Sequence, residues 1–279
     1  MSIGNLYIVA TPIGNLDDIT LRALKVLNKV DIVAAEDTRH SRKLFDAHGI
    51  QARLWSLHDH NEEAKSTFII ESLLEGKDMA LISDAGTPLI SDPGYRLVKL
   101  AQDAGIQVLT VPGPCAAIAA LSISGLPTDS FMFEGFLPAK SAGRRQALEK
   151  LKKSTSTAIF YESPRRITDL LNDIANVLGE SRLVCVAKEL TKTYERVISA
   201  PVADVIAEFK CTPSIERGEF VVLIAGISRQ ALKEVGVDAE TLKLIQIARG
   251  HMPLKQACAL VEEMTGIKKK RLYNAALDT

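Results

Sequence analysis

The stretch LISDAGTPLISDPG, residues 81–94, decides how the first half of this chain folds. It begins as a short apolar run of the kind that forms a buried strand. It continues into a loop that contains two Asp, two Gly, two Pro, two Ser and a Thr. Glycine admits backbone conformations that other residues rarely adopt, whereas proline fixes the path of the chain. In an open α/β sheet, ligands bind beyond the carboxyl ends of the strands, where this loop would lie.

The same alternation extends to both sides of this stretch. Short apolar runs alternate with amphipathic runs, and most of the amphipathic runs end at a glycine, which commonly ends a helix. Repeated βα units of this kind are typical of an α/β layered domain with a largely parallel sheet. We therefore predict strands at 5–13, 30–37, 52–57, 79–84 and 106–113, and helices at 20–28, 38–49, 61–76, 95–105 and 116–125.

A second series of elements begins after the break GLPTDS at 125–130. We predict strands at 131–138, 157–163, 182–190, 195–201 and 219–226, and helices at 144–153, 165–179 and 202–209. The middle strands are joined too tightly for a helical crossover, which predicts a sheet of mixed direction. From about residue 238 the composition favours helices only. The predicted fold class is α/β, with α/β domains at 1–126 and 127–228 and a small helical, helix-turn-helix-like basic extension at 238–279.

Composition limits the classes of protein that this chain can form. Its 279 residues are 47% hydrophobic and 24% charged, which is ordinary for a globular protein and excludes disordered and fibrous classes. Lys and Arg equal Asp and Glu at 34 each, so a polyanionic partner would need a local basic patch. The four cysteines lie far apart without a CxxC pair, which indicates free thiols. Because the first twenty residues lack a secretion signal and no apolar run approaches a membrane span of ~18 residues, we expect a cytosolic protein.

Two other loops share the character of 81–94. TPIGN at 11–15 follows the first strand and VPGPCAA at 111–117 follows the fifth. Three such loops at one edge of a sheet predict a small polar ligand that the backbone approaches closely, with Asp84 as the best-placed carboxylate. The alternative is that Gly and Pro here only make turns. The chain lacks GxxxxGK[ST], and no GxGxxG follows the first strand, so neither a phosphate loop nor a dinucleotide fingerprint is present.

Several longer blocks identify a family. They are YIVATPIGNLDDIT (7–20), AAEDTRHSRKL (34–44), LISDAGTPLISDPG, VPGPCAAIAAL (111–121), YESPRR (161–166) and PLKQACALVEEMTGIKKKRLYNAAL (253–277). Together they resemble the bacterial 16S ribosomal RNA cytidine 2′-O-methyltransferases, a family of the tetrapyrrole methylase superfamily. The resemblance implies two α/β domains with S-adenosylmethionine held in the cleft between them, a homodimer, and 16S ribosomal RNA or the small subunit as substrate.

The resemblance also implies which residues bind the cofactor. Asp84 is preceded here by Ser83, whereas porphyrinoid methylases have Gly at that position, and many relatives have Ser at the Cys115 position. A main-chain contact at Cys115 would survive the second of these changes. The implied cofactor-binding residues are Thr11, Pro12, Gly14, Asp84, Ala85, Gly86, Thr87, Leu89, Pro114, Cys115, Ala116, Tyr161, Glu189 and Ala225.

The residues leave the catalytic base open. A ribose hydroxyl is a poor nucleophile, so a base or a group that stabilises the developing alkoxide would help. The candidates are Glu36, Asp37, Asp92 and the Lys188–Glu189 pair, although Asp37 directly before a helix is equally well an N-cap. His58 and His60 have the spacing of a metal site, but helix capping explains the neighbouring acids, so we predict no metal.

Basic residues suggest where RNA would bind. Between residues 241 and 279, seven Lys or Arg face three acids, and they concentrate at the start of the last helix. The alternative is a terminal helical hairpin that packs on the body or on a dimer partner, and charged runs are often only solvated helix faces. The candidate RNA contacts are Arg39, Arg42, Lys140, Arg144, Arg145, Arg165, Arg166, Lys268, Lys269, Lys270 and Arg271, with Lys43 beside the first two.

Three functions fit the sequence. The first is S-adenosylmethionine-dependent 2′-O-methylation of a cytidine in the decoding region of 16S ribosomal RNA, which the resemblance implies. The second is C-methylation of a porphyrinoid or corrin, which the shared fold alone would permit. The third is a non-catalytic RNA-binding module. The basic extension argues against the second, and the three Gly/Pro loops argue against the third.

Overall fold

Two five-stranded sheets and a terminal group of helices make up the protein. The computed structural model describes residues 3–58, 62–228, 237 and 239–277. The chain divides into two units, the first formed by residues 1–152 and 156–226 and the second by residues 153–155 and 227–279. Both sheets belong to the first unit, so the predicted domain boundary at residues 126 and 127 stays a prediction.

The first sheet is entirely parallel, as predicted. Its strand order is β3-β2-β4-β1-β5. The strands are β1 (Leu6–Val9), β2 (Ile32–Ala35), β3 (Arg53–Ser56), β4 (Met79–Ile82) and β5 (Val108–Val111). The helices that follow them are α1 (Leu21–Lys29), α2 (Thr38–His48), α3 (Glu62–Leu74), α4 (Tyr95–Asp103) and α5 (Ala116–Ile123).

Apolar side chains cover both faces of this sheet. On one face, α1 and α2 bury Leu27 and Phe45 against the strands. On the other, α3 and α4 bury Leu73 and Leu97. Every residue of β2 and of β4 is buried, which explains why these strands read as unbroken apolar runs. Because the strands are parallel, all five end at one edge, where the loops meet.

The second sheet is mixed, also as predicted. Its order is β6-β7-β10-β8-β9, with β6 and β7 parallel and the other neighbours antiparallel. The elements are β6 (Phe131–Phe136), α6 (Ser141–Glu149), β7 (Thr157–Glu162), α7 (Ile167–Leu178), β8 (Leu183–Lys188), β9 (Arg196–Pro201), α8 (Val202–Cys211) and β10 (Phe220–Ile224). Because β10 runs against β7 and β8, Phe220 at its start lies opposite Glu162 and Lys188 near their ends.

Helix α5 joins the two sheets of the first unit. Its residues Ala117, Ala120 and Leu121 share a buried cluster with Ile159 and Leu223 of the second sheet. The opposite face of the second sheet packs against α6, α7 and α8. A helix that begins at the edge of the first sheet therefore supports the second, and the loop that precedes α5 lies between them.

The second unit contains three described helices: α9 (Ala239–Arg249), α10 (Leu254–Thr265) and α11 (Lys269–Leu277). Helix α10 begins after Pro253 and ends at Gly266, which adopts the left-handed conformation at φ 69° that glycine accepts without strain. Ile245, Cys258 and Leu272 form the centre of a small core. Within the residues that the structure describes, no helix is both long enough and apolar enough to cross a membrane.

Candidate active site

The loops after β1, β4 and β5 meet at the carboxyl edge of the first sheet. The amide and carbonyl of Thr11 pair with those of Gly86 at 2.9 and 3.1 Å. The hydroxyl of Thr87 donates to the carbonyl of Pro114 at 2.9 Å. Gly86 has φ 84°, and a side chain there would lie 3.3 Å from Ile13, so the three loops close around a glycine. The loops that the sequence placed at one edge do come together.

The loop after β2 joins them through Asp84. One oxygen of this carboxylate accepts a hydrogen bond from the amide of Asp37 at 2.9 Å. Asp37 itself caps α2, because its side chain accepts from the amide of Arg39 at 2.8 Å. The Arg39 guanidinium also hydrogen-bonds this carboxylate and holds the pKa of Asp37 well below its usual range. A carboxylate with so low a pKa is a poor proton acceptor near neutral pH.

A cavity of about 390 Å³ lies between the two sheets of the first unit. The first sheet contributes loop residues to it, and the second contributes strand ends. From the loops come Ile13, Ala85, Gly86, Thr87, Ile90, Ser91, Asp92, Cys115 and Ala116. From the second sheet come Phe136, Tyr161, Glu162, Ser163, Pro164, Ala187, Leu190, Glu219, Phe220 and Val221.

Tyr161 forms part of the wall of the larger cavity. The rings of Phe133 and Phe136 pack edge-on against it, with centroids 4.9 and 5.8 Å away. Its phenol oxygen accepts a hydrogen bond from the amide of Ala117 at 3.3 Å, which connects the second sheet to the start of α5. Burial, followed by the proximity of Cys115, raises the pKa of Tyr161 far above its ordinary value. The side chain is therefore a neutral phenol at any physiological pH.

Asp92 is the acid of the 81–94 loop that faces the cavity. Burial raises its pKa to about 6, against a hydrogen bond from Ser83 that lowers it, while the Asp84 charge adds to the increase. The neighbouring Leu89 and Ser91 hold positive φ values of 72° and 67°, which non-glycine residues rarely adopt. Strained backbone of this kind persists where surrounding contacts enforce it, often at functional sites.

A second cavity of about 300 Å³ adjoins the first and shares Ile13, Ala85 and Glu219 with it. Its other lining residues come from the loop after β1, from α2, from the end of β4, and from the loop between β8 and β9. They are Thr11, Pro12, Gly14, Leu16, His40, Ser41, Lys43, Leu44, Ile82, Ser83, Asp84 and Lys192.

An ion-pair network stands at the boundary of the two cavities. The Lys192 ammonium donates to carboxylates of Glu189 and Glu219, both at 2.9 Å. Burial alone would raise the pKa of Glu189, but hydrogen bonds from Lys192 and from the Glu219 amide lower it below its ordinary value. A side chain at Gly14 would lie 2.5 Å from Lys192, so glycine permits the loop after β1 to approach this network.

Comparison with known proteins shows which family has this arrangement. The family model for tetrapyrrole (corrin/porphyrin) methylases matches residues 5–206, and the model for the RsmI C-terminal HTH domain matches residues 235–279. The chain belongs to the tetrapyrrole methylase family. The match of the first model includes every strand of both sheets except β10, and the second includes the terminal helices.

Its similar relatives narrow the assignment within the tetrapyrrole methylases. The chain is 52% identical to ribosomal RNA small subunit methyltransferase I of Escherichia coli O157:H7, covering 99% of this chain and 95% of that protein. It is 50% identical to the protein of the same name from Pseudomonas aeruginosa, covering 99% and 98%. The chain thus groups with these ribosomal RNA methyltransferases, as its sequence blocks predicted.

Solved structures of other tetrapyrrole methylases share the fold. Cobalt precorrin-4 methyltransferase superposes with a TM-score of 0.57 at 20% identity, covering 82% of this chain and 95% of that one. Uroporphyrin-III-C-methyltransferase from Thermus thermophilus gives 0.54 at 21% identity, covering 80% and 94%. Identities this low establish a common architecture and nothing about the substrate.

The structure divides the residues predicted to bind the cofactor between the two cavities of this methylase. Leu89, Pro114 and Glu189 line neither cavity, although the Pro114 carbonyl and the Glu189 carboxylate hold residues that do. The larger cavity is lined by Ala85, Gly86, Thr87, Cys115, Ala116 and Tyr161. The smaller is lined by Thr11, Pro12, Gly14, Asp84 and Ala85.

Ala225 is the member of that predicted set that the structure moves away from the site. It follows β10, whose first residue Phe220 lines the larger cavity. Ala225 follows Phe220 by five positions, roughly 16 Å at the rise of an extended chain. The Ala225 carbonyl accepts from Arg182 at the opposite edge of the sheet. The resemblance alone implied Ala225, and the antiparallel direction of β10 makes this strand begin at the cleft, so that Ala225 lies at its far end.

The structure also supplies site residues that sequence reasoning missed. Lys192, Glu219 and Phe220 line the cavities, as do Phe136 and the pair Ser163 and Pro164. Ser163 and Pro164 lie in the block YESPRR, whereas the direction of β10 decides that Glu219 and Phe220 lie at the cleft. Of the catalytic candidates, Asp92 faces the larger cavity, whereas Glu36, Asp37 and Glu189 line neither.

Two of the arginines predicted to contact RNA, Arg144 and Arg166, bond instead to other residues of the protein. Arg144 is 97% buried, and its guanidinium pairs with the buried carboxylate of Asp173 at 2.6 Å, so it cannot face RNA. Arg166 is half-buried and bonds the Leu137 carbonyl and Glu162.

The remaining candidate RNA contacts differ in exposure. Lys269 and Arg271 are partly exposed at the start of α11, and Arg145 is exposed but paired with Asp173. The other exposed candidates are Arg39, Arg42, Lys140, Arg165, Lys268 and Lys270.

The metal hypothesis concerned His58 and His60. His60 lies outside the described residues. Among residues that the structure does describe, no group of three or more His, Cys, Asp or Glu side chains is arranged to hold a metal ion.

Proposed function

We propose that the protein transfers the methyl group of S-adenosylmethionine to the ribose 2′-oxygen of a cytidine in the decoding region of 16S ribosomal RNA. The observation that carries the proposal is the 390 Å³ cavity between the sheets, formed by the loops of a methylase fold in a chain that groups with ribosomal RNA methyltransferases. That volume lies in the range of ordinary cofactor sites.

The residues of the larger cavity fit this cofactor. Leu190, Phe220 and Val221 offer an apolar wall suited to a purine ring, and the Gly86 backbone leaves the space that a side chain would fill. Asp92 is a half-buried carboxyl whose ionised form a cation would stabilise, and the sulfonium is a cation. When bound, S-adenosylmethionine supplies a methyl group that is already activated.

The chain's own contribution is then mainly geometric. The transfer breaks the S–CH₃ bond, forms an O–CH₃ bond with S-adenosylhomocysteine as the other product, and releases the hydroxyl proton. Holding the ribose oxygen in line with the breaking bond contributes up to about 7–11 kcal/mol. Two adjoining cavities that share Ile13, Ala85 and Glu219 would place two ligands in contact.

Labelling of small ribosomal subunits tests this function. Purified protein and tritiated S-adenosylmethionine are incubated with subunits from a strain that lacks the enzyme, and the RNA is digested to nucleosides. We expect label in 2′-O-methylcytidine. Unlabelled RNA, together with a labelled porphyrinoid offered in parallel, would show that the fold had been assigned the wrong substrate.

We also propose that the protein is a cytosolic homodimer. The family resemblance implies the dimer, and several large apolar side chains are exposed, among them Leu21 at 78% and Met264 at 63%. One chain has a mass of 30.3 kDa, and light scattering coupled to size-exclusion chromatography should give twice that mass. A mass of one chain at micromolar concentration would contradict this.

A further inference from the structure

The second cavity differs in character from the first. Asp84 and Lys192 bring charge to its walls, and Lys43 and His40 reach it from α2. Among the described residues that line the larger cavity, the charged side chains are all acids: Asp92, Glu162 and Glu219. The volume of the second cavity, about 300 Å³, is enough for one nucleoside but not for a folded RNA element.

Helix α2 carries further basic side chains outside the second cavity. Arg39 and Arg42 are exposed on the same helix that presents Lys43 to it. Cationic side chains at the rim of a pocket contact phosphates, whereas groups inside the pocket contact the base and sugar. The arrangement suits one nucleotide of a polyanion whose flanking phosphates stay outside.

The loop between β8 and β9, residues 189–195, closes the other side. Glu189 and Thr191 have φ values of 49° and 65°, both in the strained left-handed region. Lys192 bonds two carboxylates, and the Thr191 amide donates to Glu195 at 2.5 Å. The Asn15 amide donates to the Thr191 hydroxyl at 3.1 Å, which fastens the loop to the first sheet. These bonds oppose the energetic cost of the two left-handed residues and stabilise this conformation of the loop.

Tyr194 projects from this loop. Its exposed fraction is 77%, and it follows the cavity-lining Lys192 by two residues, so their Cα atoms are at most about 7 Å apart. At this exposure the ring contributes little to the packing of its own chain. Single-stranded RNA, by contrast, is commonly bound by stacking unpaired bases on such rings.

We propose that the second cavity receives the acceptor ribonucleotide, unstacked from its RNA, with Lys192 beside its ribose and Tyr194 stacked on an adjacent base. The inference rests on the proposed function, because only a methyl donor in the first cavity makes its neighbour an acceptor site. A protonated Lys192 would stabilise negative charge that develops on the ribose oxygen. Its two carboxylate partners raise the pKa of Lys192 against the effect of burial, so the side chain stays charged.

Two pairs of variants test the site. Tyr194→Ala removes the ring, and Tyr95→Ala is its control, because Tyr95 is 72% exposed and lines neither cavity. Lys192→Met removes the charge. Its control is Lys152→Met, because Lys152 likewise pairs with a glutamate three residues earlier, Glu149, but lies on the outer surface. Thermal unfolding of each variant verifies that it folds.

Methylation kinetics on small subunits and calorimetry with S-adenosylmethionine give the readouts. We expect Tyr194→Ala to raise KM for the subunit about tenfold, as loss of one stacked base predicts. Tyr194→Phe should restore most of it because the ring is kept. Lys192→Met should lower kcat at least tenfold, with partial recovery in Lys192→Arg. Cofactor affinity should change by less than twofold in every variant.

The outcomes separate this inference from the proposed function. A wild-type protein that leaves subunits unlabelled would overturn both. Active wild type with unchanged kinetics in Tyr194→Ala and Lys192→Met would overturn the acceptor site alone. Loss of cofactor affinity in these folded variants would assign the 189–195 loop to the cofactor instead, and would also contradict the proposal.

Discussion

At the scale of single residues, Asp92 lines the larger cavity, and burial there makes its ionised form unfavourable. Its pKa rises to about 6 because burial disfavours the carboxylate. An unfolded chain ionises an aspartate near pH 3.8. Between these two values the unfolded chain has released its proton and the folded protein has not. The free energy of unfolding therefore falls as pH rises from about 4 to 6 and stays lower above that.

Replacing Asp92 by Asn should stabilise the protein at neutral pH. Above pH 6 the wild type carries the penalty of a buried charge and Asp92→Asn does not, so the variant should gain about 1 kcal/mol after discounting for solvent screening. Below pH 4 the difference should vanish. Urea denaturation at pH 4 and pH 7.5 measures it, with the exposed Asp46→Asn as control. A difference that is the same at both pH values would contradict the assignment.

Sequence reasoning reached most of the residues on the loop side of the site. Gly86 and Asp84 follow parallel strands, whose carboxyl ends must share an edge, so their positions could be predicted without coordinates. Asp37 was ambiguous because a capping residue and a base look alike in sequence. Its hydrogen bonds to Arg39 show the cap.

At the scale of secondary-structure elements, strand direction limited the prediction. The second sheet was expected to be mixed, but which strands reverse is decided by pairing between residues far apart in sequence. The antiparallel pairing of β10 brings Phe220 to the cleft and carries Ala225 away. The prediction of one helix boundary was wrong for a related reason, a contact with a residue far away in the sequence. The predicted helix at 144–153 begins at Ser141, whose hydroxyl contacts Asp173 of α7.

The contact between α6 and α7 depends on a buried ion cluster. The Asp173 carboxylate accepts from Arg144 at 2.6 Å and Arg145 at 2.5 Å, with Ser141 as a third donor. Burial alone would raise the pKa of Asp173, but these donors lower it below its ordinary value. A group with a lowered pKa contributes stability above its unfolded pKa, and that contribution is lost as pH falls through the folded value.

Removing Arg144 should therefore cost far more stability than removing Arg145. Arg144→Met leaves the Asp173 charge buried with its main partner lost, which costs about 3–5 kcal/mol. Arg145→Met should cost about 1 kcal/mol or less, because the Arg145 side chain is 54% exposed and water can replace it. Chemical denaturation at pH 7 measures both. Equal losses would mean that Arg144 is not the principal partner, and subunit affinity in the folded Arg144→Met protein should be unchanged.

At the scale of the whole molecule, a neutral chain places its positive charge unevenly. Lys and Arg balance Asp and Glu overall, yet Lys268, Lys269, Lys270 and Arg271 are consecutive. They stand at or just before the first turn of α11, where the helix dipole disfavours cations. A cluster that costs helix stability is better explained by a bound anion than by solvation. The terminal unit has its own core around Cys258 and Leu272, so this charge is carried on a separately packed support.

Ending the chain at Ser228 should separate cofactor binding, which we expect to persist, from binding of the small subunit, which we expect to weaken. The first unit keeps its sheets and both cavities, so cofactor affinity by calorimetry should be unchanged. KM for the small subunit should rise at least tenfold, because each lost phosphate contact weakens binding and lessens its salt dependence by about 0.7–0.9 in the log–log slope. In the full chain, Lys268→Ala with Lys270→Ala should reproduce part of this loss. The exposed pair Lys150→Ala with Lys152→Ala should not. Full activity without the terminal unit would show that RNA is bound by the first unit alone.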